Sequence, residues 1–205
     1  KVWGQDVAID GRRDASGAPR FVARGVMTAE GLRQAQDWPL LARLGSRMSG
    51  QSPFTVTVAL AKPGSTEGST SQPVIEVTSS LQGMSANLPA PLNKSADSVW
   101  PLKVTYQADD AQGQTDALMV EVGNPQSTGL SDGAPWLKAD YRRDVSGNQA
   151  KVLRGVASLI QVGQGHAVGL PPLPPKGVSV QVNVPVLDVD AWQALGKAIQ
   201  GPATA

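Results

Sequence analysis

Apolar and polar side chains alternate with a period of two through most of this chain, the signature of half-buried β-strands. Phe54, Val56, Val58 and Leu60 share one phase, with Thr55, Thr57 and Ala59 on the other. Leu102, Val104 and Tyr106 repeat the pattern against Lys103 and Thr105, and Leu118, Val120 and Val122 follow. In residues 178–186, Val178, Val180, Val182, Val184 and Val186 face one way, and Ser179, Gln181, Asn183 and Pro185 the other. Pro185 has no N–H to donate, which predicts an edge strand or a bulge there. One stretch, residues 73–94, loses its phase. Ile75, Val77 and Leu81 are odd, Met84, Ala86 and Leu88 are even, and Gly83 sits at the slip before Pro89 and Pro91. A bulge at Gly83 would bend the sheet; the alternative is two separate short strands joined there.

Turn signals separate the strands. Residues 14–17 and 144–147 read as hairpin loops with a left-handed glycine, and 109–114 as a third loop. Residues 62–72 are a longer Gly, Ser and Thr-rich loop that cannot bury enough surface to order itself. Helices are few. Thr28 is placed to cap a short helix over 28–36 carrying Leu32 and Ala35. Pro39 opens a second helix that Gly45 ends, and Asp190 caps a third bearing Trp192, Leu195 and Ile199.

The chain also repeats itself. Residues 10–26 align with 140–156 at an offset of 130, with ten of 17 positions identical, among them Arg12, Arg13, Arg24 and Gly25. This divides the chain into a first unit, 1–125, with short helices near 28–45. The start of a second unit, 126–205, has a C-terminal helix near 190–200. The joint falls at 123–133.

Composition narrows the function classes. A net charge of +1 across 205 residues supplies no field for nucleic acid or acidic headgroups. With no cysteine there is neither a disulfide nor a thiolate metal site. No apolar run reaches the roughly 20 residues that span a bilayer. The chain starts at Lys1 in mid-pattern, which reads as a piece of a longer protein.

Catalytic constellations are poor. His166 is the only histidine, so a Ser-His-Asp triad or a His-based metal site would have to use it. It sits in a Gly and Pro-rich loop and reads as an exposed loop residue. "GQGHAVG" (163–169) lacks the helix that would cradle a pyrophosphate. The Arg-Arg-Asp motifs at 12–14 and 142–144 read as charged strand ends beside solvated turns, with an anion-binding guanidinium pair as the weaker reading. Asp188 and Asp190 are too close in sequence for a glycosidase pair and read as helix-cap residues. The tryptophans read as buried anchors. The expectation is that the chain is not an enzyme and takes no cofactor or metal.

What remains is the apolar strand face, which must be covered by a second sheet, by helices or by a ligand. The helices are too few for so many strands. Either the sheet folds on itself as a sandwich or barrel, or it curves into a trough suited to acyl chains. The alternation nominates Phe54, Val56, Val58, Leu60, Val104, Tyr106, Leu118, Val120, Val180, Val182 and Val184 as the lining.

Residues 77–104, "VTSSLQGMSANLPAPLNKSADSVWPLKV", resemble the YhdP family of AsmA-like proteins. The shared pattern is a strand, Ser-x-Leu-x-Gly, an apolar-Pro-x-Pro-Leu turn, a Lys, and Pro-Leu before the next strand. Residues 169–192, "GLPPLPPKGVSVQVNVPVLDVDAW", match a second family pattern. The Arg-Gly-Val strands at 24–26 and 154–156 also look family-like. The resemblance implies an internal periplasmic slice of a large Gram-negative envelope protein anchored in the inner membrane. Its fold would be mainly β: antiparallel strands in a curved, twisted sheet forming an open groove, with a few short helices. Its function would be that of a bridge carrying phospholipid between inner and outer membranes. Its partners would be acyl chains and the rest of the same long chain, with no nucleic acid. The alternative is a structural or interaction β-sandwich module of the cell envelope with no ligand.

Overall fold

The computed structural model describes residues 6–13, 17–35, 39–60, 72–110, 112–123, 135–147, 150–161 and 170–200. His166 and the expected loop and joint at 62–71 and 124–133 lie outside them, as does Trp38. The strands are β1 (Ala8–Arg13), β2 (Pro19–Thr28), β3 (Met48–Ala59), β4 (Val74–Ser79), β5 (Met84–Ala86), β6 (Leu102–Ala108), β7 (Thr115–Val122), β8 (Pro135–Asp144), β9 (Lys151–Gln161) and β10 (Gly177–Asn183). The helices are α1 (Ala29–Arg33) and α2 (Pro39–Gly45), between β2 and β3, and α3 (Val189–Gln200) after β10.

Nine strands form one open sheet in the order β1-β2-β3-β4-β6-β7-β8-β9-β10, with β5 attached to β3 alone. Neighbours pair antiparallel, and only β1–β2, β6–β7 and β8–β9 are joined by short loops. The one parallel pair among the described strands is β10 with β9. β10 ends at Asn183, so Pro185 lies beyond an edge strand, where its missing N–H costs nothing. Among the described residues no second sheet covers the first, so there is no sandwich. No described helix is long and apolar enough to cross a membrane.

The phase slip at Gly83 is not a bulge. It separates two strands, β4 in the main sheet and β5 on the N-terminal end of β3. Between them Leu81 takes φ 52° and Gly83 φ 91°, turning the chain back beneath the sheet. Gly50 and Gly83 meet backbone to backbone. A Cβ on Gly50 would lie 2.1 Å from the Gly83 carbonyl oxygen, and one on Gly83 would lie 2.4 Å from that of Gln51. The segment then returns past a cis Ala90–Pro91 bond to Lys94 and Trp100. Lys94 is only 4 % exposed. Its ammonium donates to the carbonyls of Met84 (2.8 Å), Ser95 (3.0 Å) and Ser98 (2.7 Å), spending its three protons on three backbone acceptors. Burial holds its pKa below the ordinary lysine value, partly offset by Asp97.

This folded-back segment and the helices form a plug at one end of the sheet. Met27, Ala29, Leu32, Phe54, Leu81, Met84 and Trp100 make its buried core. Thr28 caps α1 as expected, its hydroxyl accepting from Gly31 N at 3.0 Å. Gly45 ends α2 where a Cβ would sit 2.9 Å from the Arg33 amide nitrogen. The third helix is capped by Asp188, which accepts from Ala191 N at 2.9 Å, so Asp190 is a first-turn acid rather than the cap. Trp192 donates its indole N–H to the Ala90 carbonyl at 2.9 Å, and Leu195 is buried. The far edge of the sheet is thus tethered to the plug.

The repeated segments form the hairpins β1–β2 and β8–β9, paired differently. Asp10 faces Val22, but Asp140 faces Val156, and a register shift follows between Arg142 and Arg143. Gly17 has the expected left-handed φ of 84°, whereas Gly147 does not.

Two outcomes test the plug by urea denaturation. Gly113→Ala, with positive φ but open space, is expected to cost about 1–2 kcal/mol. Gly83→Ala adds a backbone clash and is expected to cost clearly more. Lys94→Met removes the ammonium from the Met84 and Ser98 carbonyls, while that of Ser95 still accepts from the Ser98 hydroxyl, and is expected to cost roughly 3 kcal/mol.

Candidate functional site: an uncovered apolar face

Strand register decides which side chains share a face. Val56, Val77, Val104, Val120, Ala139, Ala157 and Val180 are successive cross-strand partners from β3 to β10. A row above it runs Val58, Ile75, Tyr106, Leu118, Tyr141, and a row below it Phe54, Ser79, Leu102, Val122, Leu137. Pairing partners point the same way, so these rows form one continuous apolar face. At roughly 4.8 Å per strand, the six gaps from β3 to β10 make it about 29 Å wide.

The structure brings together all eleven residues nominated from the alternation. Phe54, Val56, Val58, Val104, Tyr106, Leu118, Val120, Val180 and Val182 lie in the three rows. Leu60 and Val184 continue the same phase just past the ends of β3 and β10. Their surroundings differ. Phe54 is buried in the plug core, and Val56 packs against it. Val104, Tyr106, Leu118 and Val120 are only partly buried although they sit on central strands, whereas Ala139, Ala157 and Leu159 farther along the same face are buried. Val180 and Val182, on the edge, are 63 % and 43 % exposed. Helices α1 and α2 pack on β2 and β3, and α3 on α2; none makes a comparable contact with β4, β6, β7 or β8. Central-strand valines in a dry core would be fully buried; these are not.

The opposite face is largely polar and internally paired on β4, β6 and β7, but on β8 and β9 it buries Trp136, Val156 and Ile160. Lys103 meets Glu76 at 2.7 Å, and Arg142 meets Asp140 and, at 3.4 Å, Asp109. Trp136, 3 % exposed, lies on this side and donates its indole N–H to Glu121 at 3.3 Å. Trp100 is likewise buried, as expected of an anchor. Burial raises the pKa of the Tyr141 hydroxyl at the margin of the apolar face.

Three glycines on the apolar face each lie opposite an aromatic residue on a neighbouring strand: Gly11 and Phe21, Gly25 and Phe54, Gly155 and Tyr141. A Cβ would reach the ring at 3.3, 3.0 and 2.3 Å respectively. This is the physical content of the Arg-Gly-Val repeat: the arginine points to the polar face and the glycine leaves room for a ring.

One feature contradicts the sequence reading. The Arg142–Arg143–Asp144 motif is not merely a solvated strand end. Arg143 is 8 % exposed and Asp116 fully buried, and they form a two-pronged ion pair, Nε to Oδ1 at 2.8 Å and Nη2 to Oδ2 at 2.7 Å. Both lie on the apolar face, at its end away from the plug. The signal was available: Asp116 shares the phase of Leu118 and Val120, and Arg143 that of Ala139 and Tyr141.

With this geometry in hand, the comparison with known families is decisive. The family model described as "YhdP protein" matches residues 1–204. The chain belongs to the YhdP family of AsmA-like envelope proteins. No curated protein and no solved structure matches it. The family assignment accounts for the two sequence patterns at 77–104 and 169–192, which here build the plug with its buried Lys94 and the edge strand with its tethering helix.

The ion pair makes a specific prediction. Arg143→Met alone strands a buried carboxylate and is expected to cost about 3–5 kcal/mol, whereas Arg143→Met with Asp116→Leu should recover most of that. A double-mutant cycle by urea unfolding checks it; equal loss in the single and double variants would contradict the buried pair.

Proposed function

We propose that this chain is a segment of a bridge that carries phospholipid between the inner and outer membranes, with acyl chains lying on the apolar face. The observation that carries this reading is the partly exposed row through Val77, Val104 and Val120 at the centre of the sheet, with no helix or second sheet packed across it among the described residues. Uncovered apolar surface of this extent marks a binding surface, and acyl chains need no hydrogen-bond partner there. Each CH₂ taken from water contributes about 0.8 kcal/mol. Successive rows offer nearly the same chemistry, so no position traps the lipid. Headgroups stay in water at the open margin. The role is passive: no bond is made or broken, and direction comes from elsewhere in the cell. The site of action is the periplasm, within a longer protein anchored in the inner membrane.

Val104→Asp tests this better than a change at Val56, because Val56 also packs on the plug core. Native mass spectrometry with lipid extraction is expected to find phospholipid on the purified chain. It should be absent from Val104→Asp and retained by Thr105→Asp, on the opposite face, both folded by circular dichroism. A folded chain that takes up no lipid from phosphatidylethanolamine and phosphatidylglycerol vesicles would sink the proposal.

A further inference from the structure

A depression of about 550 Å³ opens on the polar face, at the end of the sheet that carries the plug. Register lays out its floor. Arg24, Thr55, Thr78 and Lys103 are successive cross-strand partners on β2, β3, β4 and β6, so their side chains stand side by side on one face. All four line the depression. Each of these strands is paired on both sides, so the floor is built entirely within the sheet. Its donors are unspent. Among the described residues, the Arg24 guanidinium and the hydroxyls of Thr55 and Thr78 have no hydrogen-bond or ionic partner. The Ser79 hydroxyl at the rim, by contrast, donates to the Pro53 carbonyl at 2.7 Å and accepts from Leu81 N at 3.0 Å. Lys103 shares its ammonium with Glu76 at 2.7 Å on a side chain that is still 52 % exposed. The carboxylate in the lining, Glu121, lies one strand beyond Lys103 and accepts the Trp136 indole N–H.

We infer that Arg24, Thr55, Thr78 and Lys103 form a binding site for a phosphate group. Hydroxyls with no partner are free to donate, and a guanidinium presents paired N–H groups that match phosphate oxygens. A tetrahedral phosphate has oxygens enough to take the guanidinium and both hydroxyls together; a carboxylate, with two, does not. Lys103 adds positive charge on the other side of the two threonines. Local charge is what counts here, although the whole chain carries only +1. The repeat contains its own control. Arg154 stands where Arg24 stands, but its cross-strand partners are Arg142 and Gly177, so no hydroxyl flanks it. The pairing of β2 with β3 and β4 builds the site, not the Arg-Gly-Val motif alone. The sheet lies between this site and the apolar face, so the inference does not depend on what that face carries. The phosphate is either free in solution or a headgroup at a bilayer surface, and the chemistry that holds it is the same.

Two arms test it. In the first, inorganic phosphate and glycerol phosphate are titrated into the chain at physiological ionic strength and followed by amide NMR. Saturable shifts are expected at Arg24, Thr55, Thr78 and Lys103. Arg24→Ala should weaken binding roughly tenfold or more, and Thr78→Val, which keeps the shape and removes the donor, roughly threefold or more. Arg154→Ala should leave it unchanged. Arg24 is exposed, so its replacement keeps the chain folded, which circular dichroism checks. In the second arm the chain is sedimented with phosphatidylglycerol vesicles. Sedimentation lost in Arg24→Ala assigns the phosphate to a headgroup; free-phosphate binding with sedimentation indifferent to Arg24 assigns it to solution. Any lipid taken up on the apolar face is common to both proteins and cancels. Binding that Arg154→Ala weakens as much as Arg24→Ala, shifts confined to other strands, or no dependence on Arg24 in either arm would each overturn the proposal.

Discussion

Everything in this molecule depends on one register. From β3 to β9 the strands are aligned so that each apolar alternate lands beside another apolar alternate, on the same face, in the same row. A slip of one residue in any strand would turn its valines into the polar face and its charges into the apolar one. The pairings Lys103 to Glu76 and Arg142 to Asp140 hold one face in register from the polar side. The Asp116–Arg143 pair does so from the apolar side, where a mismatch would be costly because both groups are out of water.

Apolar burial falls in two places, the plug at one end and Ala139, Val156, Ala157, Leu159 and Ile160 on β8 and β9, while the middle strands stay less covered. The plug at one end collects Met27, Leu32, Leu81, Met84 and Trp100 onto Phe54. Lys94 at its centre acts as a cross-tie among three carbonyls that no strand satisfies. A sheet can leave its central valines half-wet when its termini and loops are anchored by a core of this kind. The same division explains why an apolar face of this size is compatible with a single defined fold.

Much of this was legible in the alternation. A period of two fixes the face of a residue without any knowledge of its neighbours, so the residues from Val56 to Val182 that share one face could be named before the pairing was known. The helix starts at Thr28 and Pro39 were legible too, because cap chemistry is local. What the pattern missed was set by contacts distant in sequence. Gly83 looked like a bulge because a phase slip is the same in one strand or two; only the approach of Gly50 distinguishes them. Arg143 looked solvated because its partner lies 27 residues away on another strand. The direction of β10 was not legible, because alternation carries none. Lys94 entered only as part of a family pattern, and nothing in its neighbours announces three carbonyls converging on it.

The Gly–ring pairs carry one more consequence. Gly25 and Gly155 occupy equivalent places in the repeat, yet the ring over Gly25 comes from the following strand, β3, and the ring over Gly155 from the preceding one, β8. The two hairpins, moreover, pair in different registers. What the duplicated sequence hands on is therefore not a contact but a vacancy. Each copy inherits a missing side chain, and whichever neighbour brings an aromatic ring fills it. Two halves with the same letters can in this way diverge in their pairing and still present a level surface.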